Sequence, residues 1–184
     1  MLFQKGKLAV RKLHVRDKSL LIKWLSDPKV LKYYEGRDRS FNLDAVNHEF
    51  YHVSDNVMRC IIEFEANEIG YIQYYKLDKQ TKGYYGYDES QSLIYGLDQF
   101  IGEVNCWNRG IGQLLVNSMV EYLIHQKQAD IIVMDPQVVN KRAVRCYEKC
   151  HFRKVKILTE HEFHEGRYRD CYLMEYQKTD FTKR

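Results

Sequence analysis

Four groups of residues have types and spacings that could do chemistry. The first is Asp98, a carboxylate inside LIYGLDQFI (residues 93–101), a run apolar on both alternating faces. Such a run is expected to be a strand covered on both sides. An unpaired carboxylate there loses several kcal/mol of hydration. Either Asp98 has an internal partner, or it faces a polar cleft as a base or a cation-binding group. The second group is Trp107-Asn108-Arg109-Gly110-Ile111-Gly112-Gln113. Glycines at a strand-to-helix turn let backbone N–H groups approach a phosphate, and the helix N-terminus and Arg109 add positive charge. The run lacks the Lys-Ser/Thr ending of a P-loop and the third glycine of a dinucleotide fingerprint. A turn glycine serving only the backbone explains Gly-Ile-Gly equally well.

The third group is Asp135-Pro136, closing the apolar run 131–134. A second carboxylate at a strand C-terminus places negative charge where open α/β sheets bind ligands; capping the next loop is its plainer role. The fourth is Asn140, Ala143 and Tyr147, which share a helical face by three- and four-residue spacing. A small residue between two polar ones leaves room for a ligand chain, although ordinary packing gives the same face. His161-Glu-Phe-His164 has a spacing of three, not the four of a zinc-protease helix. Cys146 and Cys150 beside His151 have no second ligand pair at zinc spacing, so no metal is expected. The five cysteines include no CxxC and are read as reduced thiols.

The elements that must position these groups follow from periodicity. Strands are predicted near 8–13, 59–65, 68–76, 92–101, 130–134, 151–158 and 168–177. Helices are predicted at 17–25 (Asp17 as N-cap, stopped at Ser26-Asp27-Pro28), 43–52, 110–126 and 140–149. Ala66-Asn67 reads as a hairpin turn, and the glycine- and tyrosine-bearing segment 78–90 as loop. Strand-helix-strand-helix order in the second half implies a parallel pair joined by a crossover helix. The expected class is α/β (or α+β), with a central mixed sheet in one domain spanning 1–184.

Composition narrows the function classes. With 45% hydrophobic and 29% charged residues, the 184-residue chain is an ordinary globular protein rather than a disordered or fibrous one. No run approaches the length of a membrane span, and the N-terminus has no secretory h-region, so a cytoplasmic protein with no membrane partner is expected. A net charge of +4, with no basic run longer than two, argues against a nucleic-acid partner.

Together these pieces resemble the GCN5-related N-acetyltransferases (GNAT). Arg109-Gly110-Ile111-Gly112 is similar to that family's acetyl-CoA pyrophosphate loop, and Asn140…Arg142-Ala143…Tyr147…His151-Phe152 to its second signature. Trp107 departs from the pattern, standing where many members have Gln or Arg. Within the family, Tyr95–Glu103 (YGLDQFIGE), Asp135-Pro136, EHEFHEG (160–166) and DCYLMEY (170–176) resemble aminoglycoside 6'-N-acetyltransferases. The likeness is greatest to the acetyltransferase half of the bifunctional acetyltransferase–phosphotransferase resistance enzymes, and no kinase half is expected in this chain.

The resemblance implies a GNAT fold: a mostly antiparallel mixed sheet with a splayed parallel strand pair and flanking helices. It implies acetyl-CoA as co-substrate, held by Gln99, Phe100, Ile101, Asn108, Arg109, Gly110, Ile111, Gly112, Gln113, Asn140, Ala143 and Tyr147. Main-chain groups of Gln99, Phe100 and Ile101 would bind the pantetheine arm and polarise the thioester carbonyl. Asp98 would be the base for a protonated amine, directly or through water. Tyr147 would protonate the departing thiolate, or only hydrogen-bond the cofactor. Tyr34, Asp98 and Asp135 would bind the aminoglycoside, Tyr34 by stacking on a sugar, with Glu35, Asp38 and Glu103 adding negative charge. The alternative is a GNAT enzyme for another small amine, such as an N-hydroxylysine siderophore precursor. The oligomeric state stays open, a monomer included.

Overall fold

In the computed structural model, residues 1–51, 56–88 and 92–181 are described. The strands are β1 (Phe3–Lys5), β2 (Leu8–Lys12), β3 (Val57–Phe64), β4 (Asn67–Lys76), β5 (Ile94–Ile101), β6 (Ile131–Met134), β7 (Arg153–His164) and β8 (Arg167–Gln177). They form an eight-stranded sheet in the order β1-β2-β3-β4-β5-β6-β8-β7. Pairing is antiparallel at β1/β2, β2/β3 and β6/β8, and parallel at β5/β6, which gives the mixed sheet expected. The last β5/β6 pair is Gly96↔Val133, and β5 runs on for residues 97–101, the segment that carries Asp98.

The helices are α1 (Lys18–Trp24), α2 (Pro28–Leu31), α3 (Leu43–Val46), α4 (Lys79–Tyr85), α5 (Ile111–Lys127), α6 (Lys141–Lys149) and α7 (Lys178–Phe181). No helix among the described residues is long and apolar enough to cross a membrane. The described chain divides into two compact units. One comprises Met1–Gln73, Asp98–Gly112 and His164–Arg167; the other comprises Tyr74–Leu97, Gln113–Phe163 and Tyr168–Arg184. The core of the first gathers Leu21, Trp24, Leu31, Phe41, Ile61, Tyr71 and Phe100. That of the second gathers Leu77, Tyr85, Ile94, Val133, Leu158 and Leu173.

Several elements differ from the sequence expectation, each for a local reason. Segment 78–88 is not loop: Asp78 accepts from the Thr81 amide, α4 follows, and Gly86 ends it at φ 85°, the left-handed region glycine tolerates. Burial of Tyr85 and Lys82 anchors this helix, with Lys82 Nζ donating to the Ser92 carbonyl at 2.6 Å. Glu89 and Ser90, also expected in that loop, lie outside the described residues. Asp17 is not a side-chain N-cap for α1. Its carboxylate accepts from the His14 amide and from Arg11 at 2.7 and 2.9 Å, and a 3-10 turn, Val15–Asp17, precedes the helix. Asp27 caps α2 through the Lys29 amide, so the predicted stop is also a new start.

The 43–52 helix is α3 followed by a π-turn, Asn47–Tyr51, with His52 outside the described residues. The β3–β4 turn falls one residue early, at Glu65-Ala66 (φ 52° and 63°), because Asn67 Nδ2 donates to the Glu65 carbonyl at 2.8 Å as β4 begins. β7 runs on beyond 158 through His161 to His164, and β1 was not anticipated.

Candidate functional site

Asp98 is half-buried on β5: it has an internal partner and still keeps part of its surface open, so the two alternatives read from the sequence are not exclusive. Gln73, on β4, donates Nε2–H to Asp98 Oδ2 at 2.8 Å, and buried Tyr71 donates its hydroxyl to Gln73 Oε1 at 2.7 Å. The ionised carboxylate can only accept, so it draws the amide N–H to itself and leaves Oε1 to the Tyr71 hydroxyl, and the amide in turn aims the carboxylate. Tyr34 completes this group. Its ring packs on Phe100 with centroids 4.7 Å apart, and burial, reinforced by Tyr71 and Asp98, drives its hydroxyl pKa well above the usual phenol range. Phe100 itself is a core side chain against Trp24 and Tyr71, so only its main chain is available to a ligand.

Beyond β5 the chain turns twice at close quarters. Any side chain at Gly102 would collide with the Trp24 ring, so glycine there lets Trp24 close over the strand end. Trp24 Nε1 and Lys23 Nζ both donate to Glu103. Trp107, the departure from the expected pattern, donates its indole N–H to the Ile101 carbonyl at 2.7 Å. It takes up the main-chain acceptor of a residue expected to face pantetheine. The turn that follows is exposed, with Asn108 at φ 59° and Gly110 at φ 77°, and nothing lies within 4 Å of where a Gly110 side chain would be. Ile111 is buried and opens the 17-residue α5. An open, cationic turn with glycine at the point of entry to a long helix suits a pyrophosphate.

In the second unit, Asp135 is not a loop cap. Its Oδ2 accepts from the Tyr85 hydroxyl on α4 at 2.9 Å and sits 2.9 Å from His161 Nε2 on β7. Tyr84 stacks on the His161 ring at 5.6 Å, with its hydroxyl 3.1 Å from Nδ1. The bond to Asp135 raises the His161 pKa above its ordinary value against the opposing effect of burial. On α6, Asn140 spends its side-chain oxygen on the Ala143 amide as N-cap, and Tyr147 is buried against Phe152. His151, at φ 68°, terminates that helix.

Of the predicted residues, Tyr34, Asp98, Gln99, Phe100, Ile101, Asn108, Arg109, Gly110, Ile111 and Gly112 belong to the first unit. Gln113, Asp135, Asn140, Ala143 and Tyr147 belong to the second. Two of the added negative charges are already committed: Glu35 pairs with Arg39, and Glu103 with Lys23. Gln73 and His161 were missed as site residues, while Tyr71 and Tyr85 fall in the tyrosine-rich stretch 71–87 that the sequence offers as an acceptor lining or as half-buried sheet residues. Their roles come from partners 25 or more positions away along the chain, apart from the Tyr71–Gln73 step, whose two-residue spacing along a strand is the one legible signal. All five cysteines are free.

Among the described residues, β5 and β6 form a parallel pair, and a glycine turn beyond β5 leads into the long helix α5. The chain belongs to the acetyltransferase (GNAT) domain family, whose model matches residues 14–159, and it is an acetyl-CoA-dependent N-acetyltransferase. It is 26% identical over 155 residues to an aminoglycoside N(6')-acetyltransferase type 1 of Klebsiella pneumoniae, covering 83% of this chain and 77% of that protein. A kanamycin resistance protein of Rhizobium radiobacter is 32% identical over 78 residues, covering 42% of this chain and 72% of the relative. Among solved structures, AAC(6')-Ib with ribostamycin and coenzyme A superposes with a TM-score of 0.80 at 22% identity, covering 97% of both chains. A Vibrio cholerae spermidine N-acetyltransferase with CoA and spermine gives 0.75 at 18%, covering 97% of this chain and 99% of that one.

Proposed function

We propose that this enzyme, acting as a single catalytic domain in the cytoplasm, transfers acetyl from acetyl-CoA directly to the 6'-amine of aminoglycosides. The observation that carries the reading is Asp98, a half-buried carboxylate aimed by Gln73 on the stretch of β5 beyond its pairing with β6. Similarity to an aminoglycoside N(6')-acetyltransferase and to a kanamycin resistance protein supports the choice of acceptor.

An acceptor ammonium must lose a proton before its nitrogen can attack. Asp98 accepts that proton, directly or through one water, and Gln73 holds the carboxylate oxygen in line. Main-chain groups of Gln99, Phe100 and Ile101 bind the pantetheine arm and polarise the thioester carbonyl as negative charge develops on it. The amides of residues 108–113, with Arg109, take the pyrophosphate. Asn140 and Ala143 shape the face along which the cofactor lies, and Tyr147 returns a proton to the departing thiolate. Tyr34 and Asp135 receive the aminoglycoside, Asp135 through its ammonium groups. The chemistry calls for no metal and no nucleic-acid partner.

The test is free-thiol release from acetyl-CoA with matched acceptors: an aminoglycoside bearing a 6'-amine, one bearing a 6'-hydroxyl, spermidine and an N-hydroxylysine. Fast turnover confined to the 6'-amine is expected. Turnover with spermidine or the hydroxylamine alone refutes the aminoglycoside reading and selects another small-amine acceptor.

A further inference from the structure

Asp135 is held by two donors of different kinds. Tyr85 is a neutral phenol, whereas His161 can carry a charge, and both converge on the same oxygen at 2.9 Å. The pair is half-open to solvent, with side-chain exposures of 29% for Asp135 and 20% for His161. Tyr84 covers one face of the imidazole and places its hydroxyl at Nδ1. That hydroxyl donates to Nδ1 of neutral imidazole and accepts from it in imidazolium, while Nε2–H faces Asp135 in both. The same wiring therefore serves both charge states without rearrangement.

We propose that His161 is a specificity-determining counter-cation at the acceptor site, an imidazolium that neutralises Asp135 until it loses its proton and leaves the carboxylate to a substrate ammonium. The proposal rests on the reading of Asp135 as an acceptor contact. Above the His161 pKa the pair carries one negative charge; below it, none. Because Asp135 raises that pKa, the change falls at or above the ordinary histidine range. The other groups around the imidazole do not remove the effect. Tyr84 and Tyr85 are neutral phenols, and Lys156 is turned to the Tyr84 carbonyl. Glu162, held by Gln137 Nε2 and facing Cys171, adds to the rise in the His161 pKa and so favours the same imidazolium, while Asp170, on β8, accepts from the Glu160 amide. A polycationic acceptor is thus bound more weakly at acid pH by wild-type enzyme than by one whose residue 161 never charges.

The experiment measures kcat and KM for a 6'-amine aminoglycoside from pH 6 to 8.5 in wild type, His161→Gln and His161→Lys, each also in an Asp135→Asn background. Ratios to wild type at each pH cancel the substrate's own titration. His161→Gln should lower KM about fivefold at pH 6, the worth of a part-exposed ion pair, and converge on wild type by pH 8.5. His161→Lys should keep KM high throughout, with kcat little moved in either variant, and Asp135→Asn should abolish the difference. Thermal melts confirm that each variant is folded. A KM for His161→Gln that tracks wild type at every pH, or a pH-dependent ratio that survives Asp135→Asn, overturns the proposal. A wild type that turns over no aminoglycoside refutes the acceptor reading itself.

Discussion

Replacing Gln73 with Glu is the sharpest perturbation of the proposed base, because it converts a donor at 2.8 Å from Asp98 into a second carboxylate. Two unit charges about 3 Å apart at an effective dielectric near 20 repel by about 6 kcal/mol. Both residues are half-buried, and solvent screening reduces this to about 3 kcal/mol, or about two pKa units. The pair then shares a proton, and the acid limb of the rate profile belongs to the dyad rather than to either residue. Gln73→Leu is the uncharged control: it deletes one hydrogen bond to a charged group and should move the limb by about one unit. The assay is thiol release at saturating acetyl-CoA from pH 5 to 9, each variant expressed as a ratio to wild type. The expected result is a ratio for Gln73→Glu that falls steeply with acidification and recovers toward high pH. A flat ratio across the range in both variants would show that Gln73 does not govern the base, and the reasoning fails.

Four further predictions concern the frame around the site. Gly102→Ala drives a methyl group into the Trp24 ring and should lower stability by about 1–3 kcal/mol, seen as a fall in Tm of several degrees. Trp107→Phe keeps the ring but loses the donor to the Ile101 carbonyl, and should raise KM for acetyl-CoA about fivefold while leaving the acceptor KM alone. The Arg11–Asp17 pair is buried, so Arg11→Met should destabilise by about 3–5 kcal/mol in urea melts at neutral pH. Burial alone would raise the Asp17 pKa, but Arg11 and the His14 amide outweigh it and hold it below the ordinary carboxylate value. Its stabilising contribution is therefore present above that ordinary value and lost as pH falls through the folded one. The difference in stability between wild type and Asp17→Asn should shrink toward pH 3.

What was legible in the sequence was whatever is encoded locally. Asp98 stood out because a carboxylate interrupts an apolar run. Gly110 stood out because a turn into a helix favours glycine, and Asn140 because its spacing from Ala143 and Tyr147 puts the three on one helical face; its role as N-cap came from the structure. The polar wiring was not legible, because Gln73 reaches Asp98 across 25 residues and Tyr85 reaches Asp135 across 50. α4 was hidden for a different reason. Glycine at 83 and a run of tyrosines weaken the helical signal, and only the Asp78 cap, the Gly86 stop and the burial of Tyr85 restore it. Trp107 read only as a departure from the family pattern, because its indole N–H acts on a carbonyl six residues back in the chain.

The most direct test of the account is to locate the transferred acetyl group. The enzyme is incubated with carbon-13-labelled acetyl-CoA and an aminoglycoside bearing several amines, the product is mapped by NMR, and the protein is weighed by mass spectrometry. The account predicts a single labelled amide at the 6' nitrogen and an unmodified enzyme. Label at a different nitrogen, or an acetylated protein on the path to product, contradicts it.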